Sequence, residues 1–207
     1  MTDAPERWAA PRETGPETKE EKAVYEGRLV RLRAFDSSDL NKYQDFRNDY
    51  EVMRSASGGI LYPSTAEDAA REMSGSTSYT AGEYQFAMET KTDRILIGQC
   101  GFIKVNWKNR TGEIGILIGE KAYRGKGYGT DAVEVLCRFG FGEMNLRKIK
   151  ASVFDFNAPA LRCYAKCGFE KEGVLQKEIY REGAYHDMVL LRRFRPAEEE
   201  SIWNTQK

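Results

Sequence analysis

Seven consecutive residues, Arg124-Gly-Lys-Gly-Tyr-Gly-Thr130, carry the densest chemical signal in the chain. Glycines at 125, 127 and 129 allow positive φ and bring backbone N–H groups close to a ligand. An apolar stripe at helical spacing follows, Val133, Leu136, Cys137 and Gly140, with Ala132, Val135 and Phe139 beside it. A helix there adds unpaired N–H donors and the positive end of its dipole. Arg124 and Lys126 add formal charge. This combination suits a phosphate or pyrophosphate; the plain alternative is a turn with two solvated cations. A Walker loop, G-x-x-x-x-G-K-[ST], is absent. Gly127, Gly129 and Ala132 do satisfy G-x-G-x-x-A, and Asp155 lies near the end of the next strand, where a ribose-binding acid would sit. A nicotinamide-dinucleotide-binding oxidoreductase is therefore one alternative. Against it, the preceding strand ends near Gly119, several residues before Gly127, and the strands before the loop read as antiparallel. Too little chain follows Asp155 for a second nucleotide-binding half.

Other reactive side chains are few. A single histidine, His186, excludes His-pair metal sites. Cys100, Cys137, Cys163 and Cys167 form no C-x-x-C pair, so no metal is expected. Cys163 and Cys167 share a helical face and read as small buried residues in a reducing compartment. No histidine lies near Cys163 in sequence, which makes it a poor nucleophile.

The elements that must position these residues follow from pattern. Residues 1–22, rich in Pro, Glu, Thr and Lys, read as a disordered tail, and 197–207 as a polar tail. Between them, 23–196 reads as one α+β domain. Leu29, Val30, Leu32 and Phe35 mark a first strand, and Asp36 to Asp39 cap a helix through Leu40, Tyr43 and Phe46. Ser64 or Thr65 caps a second helix, 66–73, which Gly75 ends. Strands at 84–89, 95–105 and 112–119 form an antiparallel meander. Gly98 and Gly101 in the second suggest a bulge or close packing, and the third reads as covered on both faces. A strand at 148–154 leads to Asn157, which caps a helix through Leu161, Tyr164 and Ala165 that Gly168 closes. A hairpin turning at Glu182-Gly183 ends the domain.

Two segments resemble the GNAT superfamily of N-acetyltransferases. Glu113-Ile-Gly-Ile-Leu-Ile-Gly119 with Arg124-Gly-Lys-Gly-Tyr-Gly129 is similar to its motif A, [RQ]-x-x-G-x-[GA], through Arg124, Gly127 and Gly129. Asn157, Tyr164 and Gly168-Phe169 are similar to motif B. The resemblance extends over 28–194 and is nearest the branch of ribosomal-protein N-terminal and spermidine acetyltransferases. It implies a GNAT-type mixed, mostly antiparallel sheet of about seven strands with about four helices, splayed between 113–119 and 148–154. It implies acetyl-coenzyme A as co-substrate, with Arg124, Gly125, Lys126, Gly127, Tyr128, Gly129 and Thr130 on the pyrophosphate. The backbones of Ile116, Leu117 and Ile118 would pair with the pantetheine amides, and Asn157 would hold the arm. Tyr164 matches the family's general acid, and a phenol and a coenzyme A thiol lie within about two pKa units. Glu113 is the candidate general base, since an alkylamine with a pKa of about 10.4 must lose a proton.

Each assignment has a plainer alternative. Tyr164 reads also as a core tyrosine, Glu113 as a solvent-facing strand start, and Asn157 as an N-cap, a role compatible with the other. His186-Asp187 is either a base pair for the acceptor or hairpin packing. The acceptor is a primary amine, a small molecule or a protein N-terminus, expected around 47–62, 76–84 and 181–186. These segments show no strong acidic cluster, which argues against a polyamine. Arg47, Arg54, Tyr62, Tyr79 and Tyr84 are suited to a carboxylate. A non-catalytic coenzyme A-binding module is the other alternative.

The 32 basic and 32 acidic residues leave no net field to draw nucleic acid or a membrane surface. Apolar runs are too short to span a bilayer, and the N-terminus lacks a secretory h-region, so a cytoplasmic protein is expected. A homodimer is compatible with all of this.

Overall fold

The computed structural model describes residues 25–74, 77–78 and 82–196. The two tails, Gly75, Ser76 and Tyr79 lie outside the described residues. Strand β1 (Val30–Arg33) leads to Asp36, which caps a short 3-10 turn through a reciprocal bond with Asp39 ahead of α1 (Leu40–Asn48). Asp49 caps α2 (Tyr50–Met53), and Thr65 exchanges hydrogen bonds with Asp68 at the start of α3 (Ala66–Ser74). Then come β2 (Thr77–Ser78), β3 (Glu83–Thr90), β4 (Leu96–Asn106) and β5 (Thr111–Ile118). The rest is α4 (Tyr128–Phe141), β6 (Lys148–Phe154), α5 (Ala158–Lys166), β7 (Glu170–Arg181) and β8 (Ala184–Phe194). The element types expected from pattern are present. The short α2 and β2, too small to leave a periodicity, are additions.

The sheet order is β1-β3-β4-β5-β6-β8-β7, with β2 added to β3. Every pairing is antiparallel except β5–β6. That removes the dinucleotide-fold alternative, which needs a mostly parallel, doubly wound sheet. Asp155 is not an open ribose acid either: its carboxylate accepts from the Asp187 N–H at 3.1 Å and faces His186 Nδ1 at 3.3 Å.

The parallel pairing is short. β5 and β6 are in register only from Thr111–Glu113 against Lys148–Lys150. Beyond that point β5 stays paired with β4, β6 with β8, and the two strands part, opening the expected gap. Helices cover both faces of the sheet. Ile114, Ile116 and Ile118 turn to the core shared with α4 and α5, while Leu117 packs with Phe46, Val52 and Met53 of α1 and α2. The coverage of β5 is uneven, however. Ile116 and Ile118 remain half-buried because the gap runs beside them. A Cβ at Gly98 would lie 2.0 Å from the Leu117 carbonyl oxygen, so only glycine permits the β4–β5 approach there. β4 carries two register shifts, one at Ile97 beside Gly98 against β3 and one at Ile103, between Phe102 and Lys104, against β5.

Candidate active site

The gap opens into a cavity of about 500 Å³. Glu113, Ile116, Leu117, Asn157 and Tyr164 all line it, although they come from β5 and α5 on opposite sides of the opening. On α5, Asn157, Ala160 and Tyr164 share the face turned to the cavity. Asn157 also caps the helix: its Oδ1 accepts from Ala160 N at 3.2 Å and its Nδ2 donates to Ser55 O at 3.4 Å. The capping role is therefore observed, and Asn157 lines the cavity at the same time.

Tyr164 is 3 % exposed and stacks edge-on against Phe169 at 5.1 Å. Its hydroxyl has no hydrogen-bond partner among the described residues. Burial, reinforced by neighbouring thiols, pushes the phenol well above its ordinary pKa. It keeps its proton at neutral pH, but full transfer to a thiolate is harder than aqueous values suggest. The hydroxyl is thus a hydrogen-bond donor available to a group entering the cavity. Glu113 is half-buried on the cavity wall and accepts from Ser152 Oγ across the gap at 2.7 Å.

The glycine loop adjoins the same opening. Gly127 is the N-cap of α4 with φ +91°, and no side chain caps that helix. The first intrahelical bond runs from Asp131 N to Gly127 O, so the N–H groups of Tyr128, Gly129 and Thr130 precede the ladder and are free for an anion. Gly125 has φ +71° with open space where a Cβ would be, and Lys126 beside it is exposed. Arg124 is half-buried and donates from Nε to the Ile118 carbonyl at 3.0 Å, tying the loop to the end of β5. A Cβ on Gly129 would lie 3.5 Å from Ile118 Cδ1 and 3.7 Å from Ile116 Cδ1. The loop therefore packs on side chains of the strand that borders the gap.

Strand alternation sharpens the backbone assignment. Gly119 N donates to Ile97 O of β4 at 2.9 Å. Stepping back by two, the backbone groups of Leu117 also face β4, whereas those of Ile116 and Ile118 face the gap. Ile116 faces the open edge, where Ile118 offers only its N–H because its carbonyl accepts from Arg124 Nε; the Leu117 backbone is turned to β4 while the residue lines the cavity wall.

The face covered by α1–α3 joins the expected Glu113 and Arg47 with residues that sequence reading missed, Tyr43, Glu72, Glu83, Gln85 and Gln99. Glu83 and Gln85 of β3, Gln99 of β4 and Glu113 of β5 line the cavity with Tyr43, Arg47 and Glu72 from the helices. Glu72 accepts from Tyr43 OH at 3.1 Å and pairs with Arg47 at 2.9 Å. Burial and this carboxylate push the Tyr43 phenol upward. Three carboxylates thus meet one cation, and Glu83 has no ion-pair or hydrogen-bond partner among the described residues. The acidic cluster that the sequence segments seemed to lack is assembled by folding.

Of the side chains expected to suit a carboxylate, Tyr79 lies outside the described residues; among the other four only Arg47 reaches the cavity, and Glu72 pairs with it. Arg54 pairs with Glu182 at 2.6 Å, Tyr62 is exposed elsewhere, and Tyr84 packs on Trp107 and Phe139. His186 stacks on Phe156 at 4.8 Å outside the cavity lining, which is hairpin packing. Cys167 is buried, but Cys163 is half-buried and lies 3.6 Å from Thr130 Oγ1.

Comparison with known proteins accords with this geometry. Residues 29–170 match the acetyltransferase (GNAT) domain model. The chain belongs to the GNAT acetyltransferase family. An uncharacterized SPbeta prophage-derived N-acetyltransferase of Bacillus subtilis is 28 % identical over 79 % of this chain and 88 % of its own. The spermidine N(1)-acetyltransferase of Vibrio cholerae is 29 % identical over 76 % of this chain and 88 % of its own. The crystal structure of Vibrio cholerae spermidine N-acetyltransferase in complex with CoA and spermine superposes with a TM-score of 0.71 at 26 % identity, covering 80 % of this chain and 95 % of that one. As a GNAT member the protein is an acetyl-coenzyme A-dependent acyltransferase. No cluster of metal-ligating side chains occurs among the described residues, and no helix among them is long and apolar enough to cross a membrane.

Proposed function

We infer that the protein transfers acetyl from acetyl-coenzyme A to a primary amine of a small, positively charged acceptor, by direct attack in a ternary complex. The observation that carries this reading is the gap between β5 and β6, which joins two chemically different faces. On the α4–α5 face lie uncapped N–H groups and Arg124; on the α1–α3 face lie Glu72, Glu83 and Glu113.

In this reading the N–H groups of Tyr128, Gly129 and Thr130 hold the pyrophosphate, with charge from Arg124 and Lys126. The pantetheine arm runs beside Ile116 and Ile118 as an added strand, and Asn157 holds it from α5. The acceptor enters from the carboxylate side. Glu113 takes a proton from the ammonium, directly or through water, and the neutral nitrogen attacks the thioester carbon. Gap-facing backbone N–H groups of β5 stabilise the oxyanion. The C–S bond then breaks with Tyr164 donating a hydrogen bond to the departing sulfur, and the second proton shed by the attacking nitrogen passes through water to the thiolate, leaving an N-acetyl amine and coenzyme A thiol. The spermidine acetyltransferase relatives support an amine of this kind, and Glu83, without a partner among the described residues, supports a second positive charge on it.

Steady-state kinetics of two variants test the assignment. Tyr164→Phe is expected to lower kcat by about 10²-fold with little change in coenzyme A affinity. Glu113→Gln is expected to lower kcat/KM by a similar ~10²-fold at neutral pH, with the deficit shrinking as pH rises towards the amine's own pKa of about 10.4. Equal loss of turnover and cofactor binding in Tyr164→Phe would remove its role at the sulfur.

A further inference from the structure

Three consecutive backbone N–H groups, those of Arg28, Leu29 and Val30, donate to the single carboxylate of Asp131 at 2.9, 2.7 and 2.9 Å. These partners are more than a hundred residues away in sequence. Asp131 stands in the first turn of α4, immediately after the glycine loop. Its own N–H closes that turn on Gly127 O at 3.0 Å. The fit is tight from the other side too: a Cβ on Gly27 would lie 2.2 Å from Asp131 Oδ2. Next along the chain, Leu29 Cδ1 sits 3.6 Å from where a Cβ on Gly127 would be. The Arg138 guanidinium, further along α4, donates to Glu26 O at 2.7 Å and ties down the same segment.

We propose that Asp131 is the positioning residue of the cofactor loop, locking the first turn of α4 against the start of β1 so that the loop N–H groups hold their aim. Charge-assisted hydrogen bonds are the strong ones, and three of them converge here on one side chain. The device also solves an electrostatic problem. A carboxylate in the first turn would repel a bound pyrophosphate, but three N–H dipoles offset its charge and turn it away from the loop. On the opposite flank, Thr130 O accepts from Cys167 Sγ at 3.5 Å, so the turn is gripped from both sides. A turn free to rock would lose aim at every loop donor together.

This inference rests on the cofactor reading of the loop, so its test separates the two. Coenzyme A affinity is measured by calorimetry for the native protein, Asp131→Ala, Asp131→Asn and Gly27→Ala. Amide hydrogen exchange of residues 124–130 is measured for each without ligand. The expected result is a dissociation constant raised about tenfold in Asp131→Ala, with kcat at saturating acetyl-coenzyme A within about twofold of native. Loop exchange accelerates, and Asp131→Asn, which keeps a carbonyl acceptor, falls between. Gly27→Ala reaches the same end by displacing the carboxylate, and it serves with Asp131→Asn should Asp131→Ala not fold. Variants that melt at lower temperature but keep native affinity and native loop exchange would reduce Asp131 to a fold-stabilising contact and overturn the proposal. Failure of the native protein to bind coenzyme A would instead refute the loop's cofactor role. Exchange at 124–130 would still decide whether Asp131 anchors the turn.

Discussion

Glu83 is a half-buried carboxylate on the cavity wall without a cation beside it among the described residues. Partial burial of an unpaired charge is costly, and a ligand cation relieves that cost. Glu83→Gln is therefore expected to raise KM for a diamine acceptor about tenfold, or ~1.4 kcal/mol, while a monoamine is unaffected. Equal effects on both would mean that Glu83 does not read the second charge. Little of this was legible in the chain. Glu72, Glu83 and Glu113 come from α3, β3 and β5, and nothing local tells that they face one space. Phase adds to the difficulty, because the bulge at Ile103 shifts the β4–β5 register next to Glu113. The loop and the Asn157–Tyr164 helix were legible, since each is contiguous and its residue types serve both fold and chemistry. Asp131 was not, because its partners are distant backbone groups that have no residue signature.

Between elements, β1 and β3 are joined by a charge network. Arg33 bridges Glu89 and Asp39 at 2.7 Å each, and Arg31 and Arg94 also reach Glu89. Burial works to raise the Glu89 carboxyl, but hydrogen bonds from Arg33 and Arg94 and nearby guanidinium charge hold it below its ordinary value. Asp39 is likewise held down by Arg33 against burial. A carboxylate whose folded pKa is depressed adds stability at pH above its unfolded value, about 4.3 for Glu. That stability drains away as pH falls through the folded value. Glu89→Gln leaves cations unpaired and is expected to cost on the order of 3 kcal/mol at pH 7. For a chain of this size that lowers Tm by roughly 6 to 12 °C, and the difference should fade in acid, as pH falls below the unfolded value and through the lower folded one. A difference persisting unchanged into acid would show that packing, not charge, carries the effect. Element positions were largely legible, because capping residues and glycines mark boundaries chemically. The four-residue α2 was not, since one turn gives no periodicity.

Across the whole molecule, equal numbers of positive and negative residues conceal a local separation. The two mouths of the β5–β6 gap differ in sign: N–H donors and Arg124 at the cofactor side, carboxylates at the acceptor side. In the function proposed above, an anionic cofactor and a cationic amine would each be drawn to their own entrance and meet at Glu113 and Tyr164. Composition could not show this, because the sum of charges is silent on their placement. The splay itself was expected from family resemblance; which face holds which charge emerged only from the fold. The most direct measurement follows release of coenzyme A thiol from acetyl-coenzyme A with a panel of monoamines, diamines, polyamines, amino acids and peptides, with mass spectrometry of the acetylated product. Release that depends on the amine, fastest with acceptors of two or more positive charges, is the expected result. Tight coenzyme A binding without amine-dependent release from any member would contradict it and leave a coenzyme A-binding module without transfer.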